Sequence, residues 1–545
     1  DKMNALTRIL HIYLINDCKK IYTGPPNPIK HNKLKNNDYL FKDNGRIFYH
    51  EPKFSQSVAE KYYKKLCSNE HKEHKYSLPS IMTKPNLPDR QYNMDIITIN
   101  DISNYVYTKK KIMSPGLNGI PMCLYACSPT ARKLLLVVLK EIWTTGNIPE
   151  SWRYIRVRLI KKPNKNISIP HNMRAVEILN VETRIFFGIY SERLRNYLIA
   201  NKYIDTNIQK AVLPTLTSGC TENITIIRSL LNNSMNKVKS LSIAFLDLKK
   251  AFKSVNHSML YTAFKWYNVP SSVIKLFSNY YNNINVFIQA NKWRTRYIKL
   301  DKGVLQGCPS GNVLFNMSYQ LILDMHAAKL KHINRNIGYV YQERERVLIN
   351  TTLCDDTALI ASSHGNCQLS LDKFVECLEW SKTMKLNHKK CKSLSYIKNN
   401  TNNNLVLSKS PLSIYNSKTK EITHIDATND SEKIRYLGIR INPSTATFDS
   451  NYYMASLTRK FNILTCISKD ISNEEKVKHV IRLTKNTLSW IMGVSKFDDC
   501  EIDAIQEEVN SYIKKWGTSA DYNVNNNLIE TIQQRGILSR LKALV

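Results

Sequence analysis

Apolar residues recur along this chain with two periods. In TARKLLLVVLKEIWTTGNIP, from Thr130, they fall three and four apart, the spacing of one helix face. Residues 181–200 and 221–238 share that spacing, as does LSLDKFVECLEWSKTM, which predicts an amphipathic helix. In RYIRVRLIKK the apolar positions alternate with polar ones, predicting a strand with three arginines interleaved. SLSIAFLDLKKAF reads as a strand running into a helix start, and NVFIQANKWRTRYIKL as a hairpin. VLINTTLCDDTALIAS reads as two β runs joined at a pair of aspartates. SPGLNGIP, Ser114 to Pro121, is a turn-rich break. Before it lies a Lys- and Asn-rich stretch with helical pieces such as KFSQSVAEKYYKKLC. Residues 398–430, rich in Asn, Ser and Thr, predict a loop, and the last hundred residues read as mostly helical. Helices mixed with a small sheet predict an α+β fold.

Composition narrows the partner. The chain has 545 residues, 43% hydrophobic, enough for more than one core. Lys plus Arg number 79 against 44 Asp plus Glu, a formal charge of +35. The usual partner of so basic a surface is a polyanion, and nucleic acid is the first expectation. AT-rich codon usage would explain abundant lysine but not the shortage of acids. The 12 cysteines are scattered, with no Cys-x-x-Cys pair and no zinc-knuckle spacing, so reduced thiols in an intracellular protein are expected. No apolar run reaches membrane-spanning length and no signal peptide is visible, so no membrane partner is expected. The chain begins at Asp1, which leads us to expect a missing upstream segment.

The chemistry is concentrated at the paired aspartates. Asp355 and Asp356 sit at the joint of the two β runs, where neighbouring side chains can reach one rim. Aspartate is common in turns for local hydrogen bonding, and for an isolated pair that reading stands. The pair is not isolated: Asp247 ends an earlier β run just before a helix. Three carboxylates meeting across adjacent strands suit Mg²⁺, which is hard and oxygen-loving, and a two-metal site for phosphoryl transfer.

The ordered motifs resemble the reverse transcriptases of non-LTR retrotransposons, most closely the site-specific type that inserts into ribosomal genes. From about Ser114 onward they are SPGLNGIP, IPESWRYIRVRLIKKPNK, MRAVEILNVETRIFFGIYSERL, QKAVLPTLTSGCTENITII, FLDLKKAFKSVNH, GVLQGCPSGNVLFN, LCDDTALIAS, MKLNHKKCKS and YLGIRIN. EIDAIQEEVNSYIKKW and IQQRGILSRL follow, similar to the family's thumb. The resemblance implies a right hand: an N-terminal extension over 1–110 that binds RNA or DNA, fingers over 111–235, a palm over 236–445 and a helical thumb over 446–545. It implies an RNA-directed DNA polymerase that extends a 3′-hydroxyl primer along RNA.

Roles follow by position. Asp247, Asp355 and Asp356 match the metal ligands, for two Mg²⁺ ions with Mn²⁺ as a substitute. Lys390 matches a later palm lysine, a candidate proton donor to pyrophosphate. Lys162 and Arg174 match positions that hold the incoming triphosphate. Phe252 matches the gate against the ribose 2′-hydroxyl, and Gln306, Gly307 and Pro309 lie beneath template base and nucleotide. Tyr436, Leu437 and Gly438 match the primer grip. The expected partners are an RNA template, a DNA primer or RNA–DNA hybrid, and dNTPs. No endonuclease is legible, so a separate nuclease or ribonucleoprotein partner is expected. The nucleus is the expected compartment, an organelle the alternative.

The chain also departs from the pattern. Lys253 stands where the family usually has a second aspartate, and a cation there is expected to compete for Asp247. Leu353 and Cys354 replace an aromatic and a small residue, Ser310-Gly311-Asn312 replaces Leu-Ser-Pro, Asn118 an aspartate, and Ala175-Val176 Pro-Ile. These changes keep a second reading open: a catalytically reduced relative serving as the RNA-binding subunit of a ribonucleoprotein. An RNA-dependent RNA polymerase or intron maturase shares the paired aspartates, but Cys354 before the pair and Phe252 as gate favour DNA synthesis.

Overall fold

Capping chemistry sets where the first helices start and stop. Helix α1 is Pro52–Cys67. Helix α2, Ile99–Thr108, opens on a capping box in which Thr98 and Asp101 each satisfy the other's backbone N–H. Helix α3, Pro129–Thr145, has Ser128 as its N-cap and Pro129 at its first turn, and it ends at Gly146 with φ 70. The computed structural model describes most of residues 52–462 and 472–516, with short gaps, and a few positions nearer the start.

The remaining elements follow in order. Strands β1 (Tyr154–Lys161) and β2 (Met173–Ile178) precede α4 (Val181–Ala200), whose first eleven residues are all buried. Helix α5 (Leu216–Lys237) leads into β3 (Leu241–Leu246). Then come α6 (Ala251–Ser254), α7 (His257–Trp266), α8 (Ser271–Tyr281), β4 (Asn285–Ile288), β5 (Ile298–Lys299) and α9 (Pro309–His332). Strands β6 (Asn350–Leu353) and β7 (Asp356–Ala361) form a hairpin before α10 (His364–Trp380). They are followed by β8 (Lys392–Asn399), β9 (Asn404–Leu407), β10 (Leu412–Tyr415), β11 (Ile422–Ile425), β12 (Ile434–Tyr436) and β13 (Ile439–Asn442). Helices α11 (Asn473–Val494) and α12 (Asp499–Trp516) pack on each other.

Contacts divide the chain into two compact units. The first comprises Asp1–Asp205, Lys249–Met325 and Cys377–Lys385. Its sheet has the order β2-β1-β4-β5, with β1 antiparallel to β2 and parallel to β4. Close approach is possible where α4 crosses α2, because Gly188 has no side chain: a Cβ there would lie 2.0 Å from the Tyr105 ring. Behind it Phe187 packs on Tyr280 and Phe277 of α8, with ring centroids 4.4 and 5.7 Å away.

The second unit comprises Thr206–Leu248, His326–Glu376 and Leu386–Val545. Its five-stranded antiparallel sheet has the order β6-β7-β3-β8-β9. Strand β3 is buried at all six positions, which is why LSIAFL is apolar nearly throughout. Its one hydroxyl there, Ser242, pairs across the strand with Ser395 at 2.6 Å. One face of the sheet, with Ile243, Phe245, Ile360 and Leu394, forms a core with Ile224 and Ile227 of α5.

The expected α+β class is borne out. The loop expected over 398–430 is corrected: β9 and the β10–β11 hairpin lie in it. These strands are only four residues each and present exposed apolar side chains such as Tyr415 and Ile422, so within a stretch rich in Asn, Ser and Thr their few apolar positions are too short a pattern to mark a strand. Among the described residues no helix is long and apolar enough to cross a membrane.

Candidate active site

Register brings the aspartates together. Strands β6 and β7 pair with Leu353 opposite Asp356, leaving Cys354-Asp355 as a two-residue turn. Strand β7 pairs with β3 so that Thr357 faces Leu246, and Asp247 is the next residue after β3. Asp247 and Asp356 therefore emerge at the same end of adjacent strands. They line a cleft of about 630 Å³ with Lys390, Arg435 and the residues Tyr436, Leu437 and Gly438.

The carboxylates feel one another. Burial in the cleft pushes the Asp356 carboxyl up to about 6, and Asp355 and Asp247 add to the shift. Burial also raises Asp355, with Asp247 adding and Lys390 opposing. Such a site favours a cation. Lys390 supplies one: its Nζ lies 3.2 and 3.3 Å from the two oxygens of Asp247. The Lys390 side chain is 65% exposed, so the pair is weak and open to exchange.

Asp247 is held from a second segment. Asn387 Nδ2 donates to its Oδ2 at 2.8 Å, and the Asn387 backbone N–H donates to its carbonyl at 2.8 Å. The Asp247 N–H donates to Cys391 Sγ at 3.4 Å. Asn387 escaped assignment from sequence although it lies inside MKLNHKKCKS, because its partner is far away along the chain.

The donor set fits a divalent metal, the group that the family chemistry implies. All three groups are hard carboxylate oxygens, and an ammonium stands in for a cation on Asp247. Among the described residues no three or more His, Cys, Asp or Glu side chains form a ready-made metal cage. Mg²⁺ suits such an open set, since it keeps waters and takes ligands from substrate phosphates alongside one or two carboxylates.

The primer-grip candidates form one wall of this cleft. Tyr436 is buried and packs on Phe245 at 5.0 Å. Leu437 and Gly438 form the two-residue turn between β12 and β13, with φ 46 and 88. That is the geometry of a type I′ turn, which glycine tolerates freely and leucine does not.

The other candidates belong to the first compact unit. Lys162 donates from Nζ to the His171 carbonyl at 2.9 Å. Arg174 is exposed on β2, opposite Ile160 of β1. Phe252 stacks on Phe315, centroids 4.9 Å apart and planes within 10°. Gln306 is exposed, and its N–H donates to Glu177 Oε2 at 3.1 Å. Gly307 passes so close to Glu177 that a Cβ would lie 1.7 Å from its carbonyl oxygen. Pro309 is the first residue of α9.

The expectation that Lys253 competes for Asp247 is corrected. Its ammonium lies 2.5 Å from Glu177 Oε1, with side chains 6% and 0% exposed. Tyr63 donates to the same oxygen at 2.9 Å. A buried cation takes the partner that desolvates with it, and here that partner is Glu177. Asn118 is accommodated similarly: its Nδ2 donates to both oxygens of Glu182 at 2.9 and 3.1 Å, where an aspartate would meet like charge.

Comparison with known proteins meets this geometry. The family model for reverse transcriptase (RNA-dependent DNA polymerase) matches residues 160–441, more than half of the chain. The chain belongs to the reverse transcriptase family. Every site residue named above from Lys162 to Gly438 lies inside the matched span. The chain is similar to the retrovirus-related Pol polyprotein from type-2 retrotransposable element R2DM of Drosophila melanogaster, 28% identical over 279 residues, 51% of this chain and 24% of that protein. It is 26% identical over 299 residues to the Pol polyprotein from type-1 retrotransposable element R2 of Nasonia vitripennis, 54% of this chain and 27% of that protein. The chain thus spans about a quarter of the length of these curated relatives. The resemblance to non-LTR reverse transcriptases is borne out by them. A solved structure of apo telomerase from Candida tropicalis is also similar, with 12% identity, TM-score 0.36, and coverage of 72% of this chain and 67% of that one.

Proposed function

We propose that this chain is an RNA-directed DNA polymerase of a non-LTR retroelement, extending a primer 3′-hydroxyl along an RNA template with dNTPs. The observation that carries the reading is the meeting of Asp247, Asp355 and Asp356 at one end of adjacent strands, with Lys390 already on Asp247. Two Mg²⁺ ions, or Mn²⁺, would be held by these carboxylates and would supply activation of the 3′-hydroxyl and charge neutralisation at the phosphates. Asn387 orients Asp247, and the hairpin turn carries Asp355 and Asp356. Lys390, beside Asp247, would be the proton donor to the pyrophosphate leaving group, as its motif implies. Tyr436, Leu437 and Gly438 support the primer end. Lys162 and Arg174 would hold the triphosphate, and Gln306, Gly307 and Pro309 would underlie the base, as their motifs imply. The fingers would be 111–235, the palm 236–445 and the thumb 446–545, and the nucleus is the compartment this activity calls for.

The test is metal-dependent extension of an annealed primer on RNA. Asp247→Ala and Asp355→Ala should each lower the rate by several orders of magnitude while leaving RNA affinity within about twofold, because lost ligands remove charge stabilisation and not backbone contacts. Wild-type protein that binds RNA but extends no primer with either metal would instead establish the RNA-binding subunit.

A further inference from the structure

We propose that Gln209 is a positioning residue for the paired aspartates, clamping the backbone N–H and C=O of Cys354, which lies between them and β6; the inference rests on the polymerase reading. The turn that carries Asp355 has a problem of conformation. Cys354 adopts φ 59, the left-handed region, at the first position of a two-residue hairpin turn. That position favours glycine, and a residue bearing a Cβ resists it. Something must hold Cys354 there, since relaxation of its backbone would swing both neighbouring carboxylates.

Gln209 has the matching groups. Its Oε1 accepts the Cys354 N–H at 2.8 Å, and its Nε2 donates to the Cys354 carbonyl at 3.1 Å. A carboxamide carries the same donor and acceptor as a peptide group, so the side chain acts as one more rung of the ladder at the turn. The backbone supports it. Strand β6 is at the edge of its sheet, and the Ile208 carbonyl accepts the Thr352 N–H at 2.9 Å, a parallel bridge of Gln209 to Thr352. Gln209 is fully buried, so water offers no substitute for these bonds. Its Oε1 also accepts the Ala211 N–H at 3.2 Å, and the next residue, Lys210, is tied to Glu222 of α5 at 2.7 Å. The clamp is therefore anchored to a helix and not to a free loop. Gln209 opens the stretch QKAVLPTLT, yet nothing in sequence distance links it to Cys354.

Gln209→Met keeps the length and removes both bonds. In the full chain bound to primer and RNA, we expect kcat to fall about 10- to 100-fold and half-saturating Mg²⁺ to rise, with template–primer Kd unchanged, the range found when a residue behind a metal ligand is lost. Mn²⁺ binding read by electron paramagnetic resonance should weaken about tenfold, independently of turnover. Alkylation of Cys354, followed by peptide mass spectrometry, should quicken. Cys354→Gly, which adopts the left-handed conformation without strain, should restore most of kcat in the Gln209→Met background. Unchanged Mn²⁺ binding and alkylation would overturn the clamp, as would an equal loss of kcat and RNA affinity that glycine does not rescue. If the wild type extends no primer, the polymerase reading fails, while Mn²⁺ binding and alkylation still decide whether Gln209 holds the turn.

Discussion

Phe252 shows how much one side chain can decide. Its ring is braced flat against Phe315 and remains partly open to solvent. A braced ring suits steric exclusion, because a gate that swings aside excludes nothing. Phe252→Val should lower the ratio of catalytic efficiencies for dNTP over rNTP, chiefly by admitting ribonucleotides. Were the ring only packing, the same change would cost about 3 kcal/mol or less and reduce both efficiencies together. Asp324 gives a prediction in pH. Burial raises its carboxyl from 3.8 to about 6, against the opposing bonds from Gln320 and Tyr267. A raised carboxyl stabilises the fold below about 3.8, and that stability is lost as pH rises through about 6. Asp324→Asn should therefore stabilise the protein at pH 7, by on the order of 2 kcal/mol, and by nearly nothing at pH 4. Gln320 can turn to receive the new amide, since its Oε1 is buried without a hydrogen-bond partner. Urea denaturation at the two pH values measures the difference, and a gain equal at both would refute the assignment. At this scale the sequence revealed the carboxylates but not their holders: Asn387, Glu177 and Gln209 act through partners more than a hundred positions away.

Elements were more legible than their company. The helices of the first unit and the strand pair at the aspartates follow from periodicity and caps, which are local properties. The strands between 398 and 430 did not, because each is only four residues long and is defined by its partner, β9 by β8 and β10 by β11, while the surrounding Asn, Ser and Thr read as loop. Helix packing likewise overrides local preference at Gly188. In an isolated helix Gly→Ala stabilises by roughly 1 kcal/mol. Here the added Cβ would lie 2.0 Å from the Tyr105 ring, well inside van der Waals contact, so α4 must retreat from α2. Overpacking of that kind costs about 1–3 kcal/mol, so Gly188→Ala should lower the denaturation midpoint despite the better helix former. A raised midpoint would mean that the two helices separate more easily than their burial implies.

Across the whole molecule the excess of 79 basic over 44 acidic residues sets the range of its attraction for nucleic acid. If about six to ten phosphates are contacted, affinity for RNA should fall roughly 10³- to 10⁵-fold between 50 and 200 mM salt. Fluorescence anisotropy across that range reads the slope directly, and a flat line would assign the charge to dispersed lysines with no common groove. The family was legible because nine motifs in order are hard to obtain by chance. The division into two compact units was not, since Asp247 and Phe252 are five residues apart and fall on either side of it.

The buried pair of Lys253 and Glu177 has a consequence for descent. Changing either residue alone strands the other's charge in the interior, a loss of about 3–5 kcal/mol, comparable with the whole stability of many domains. Single steps away from this arrangement are thus closed to selection, while a joint replacement by two uncharged residues that keeps an acceptor for Tyr63 and the Gln306 N–H costs far less. The two positions, far apart in the gene, should be inherited as one character. Sequences closely related to this chain that lose the lysine should have lost the glutamate as well.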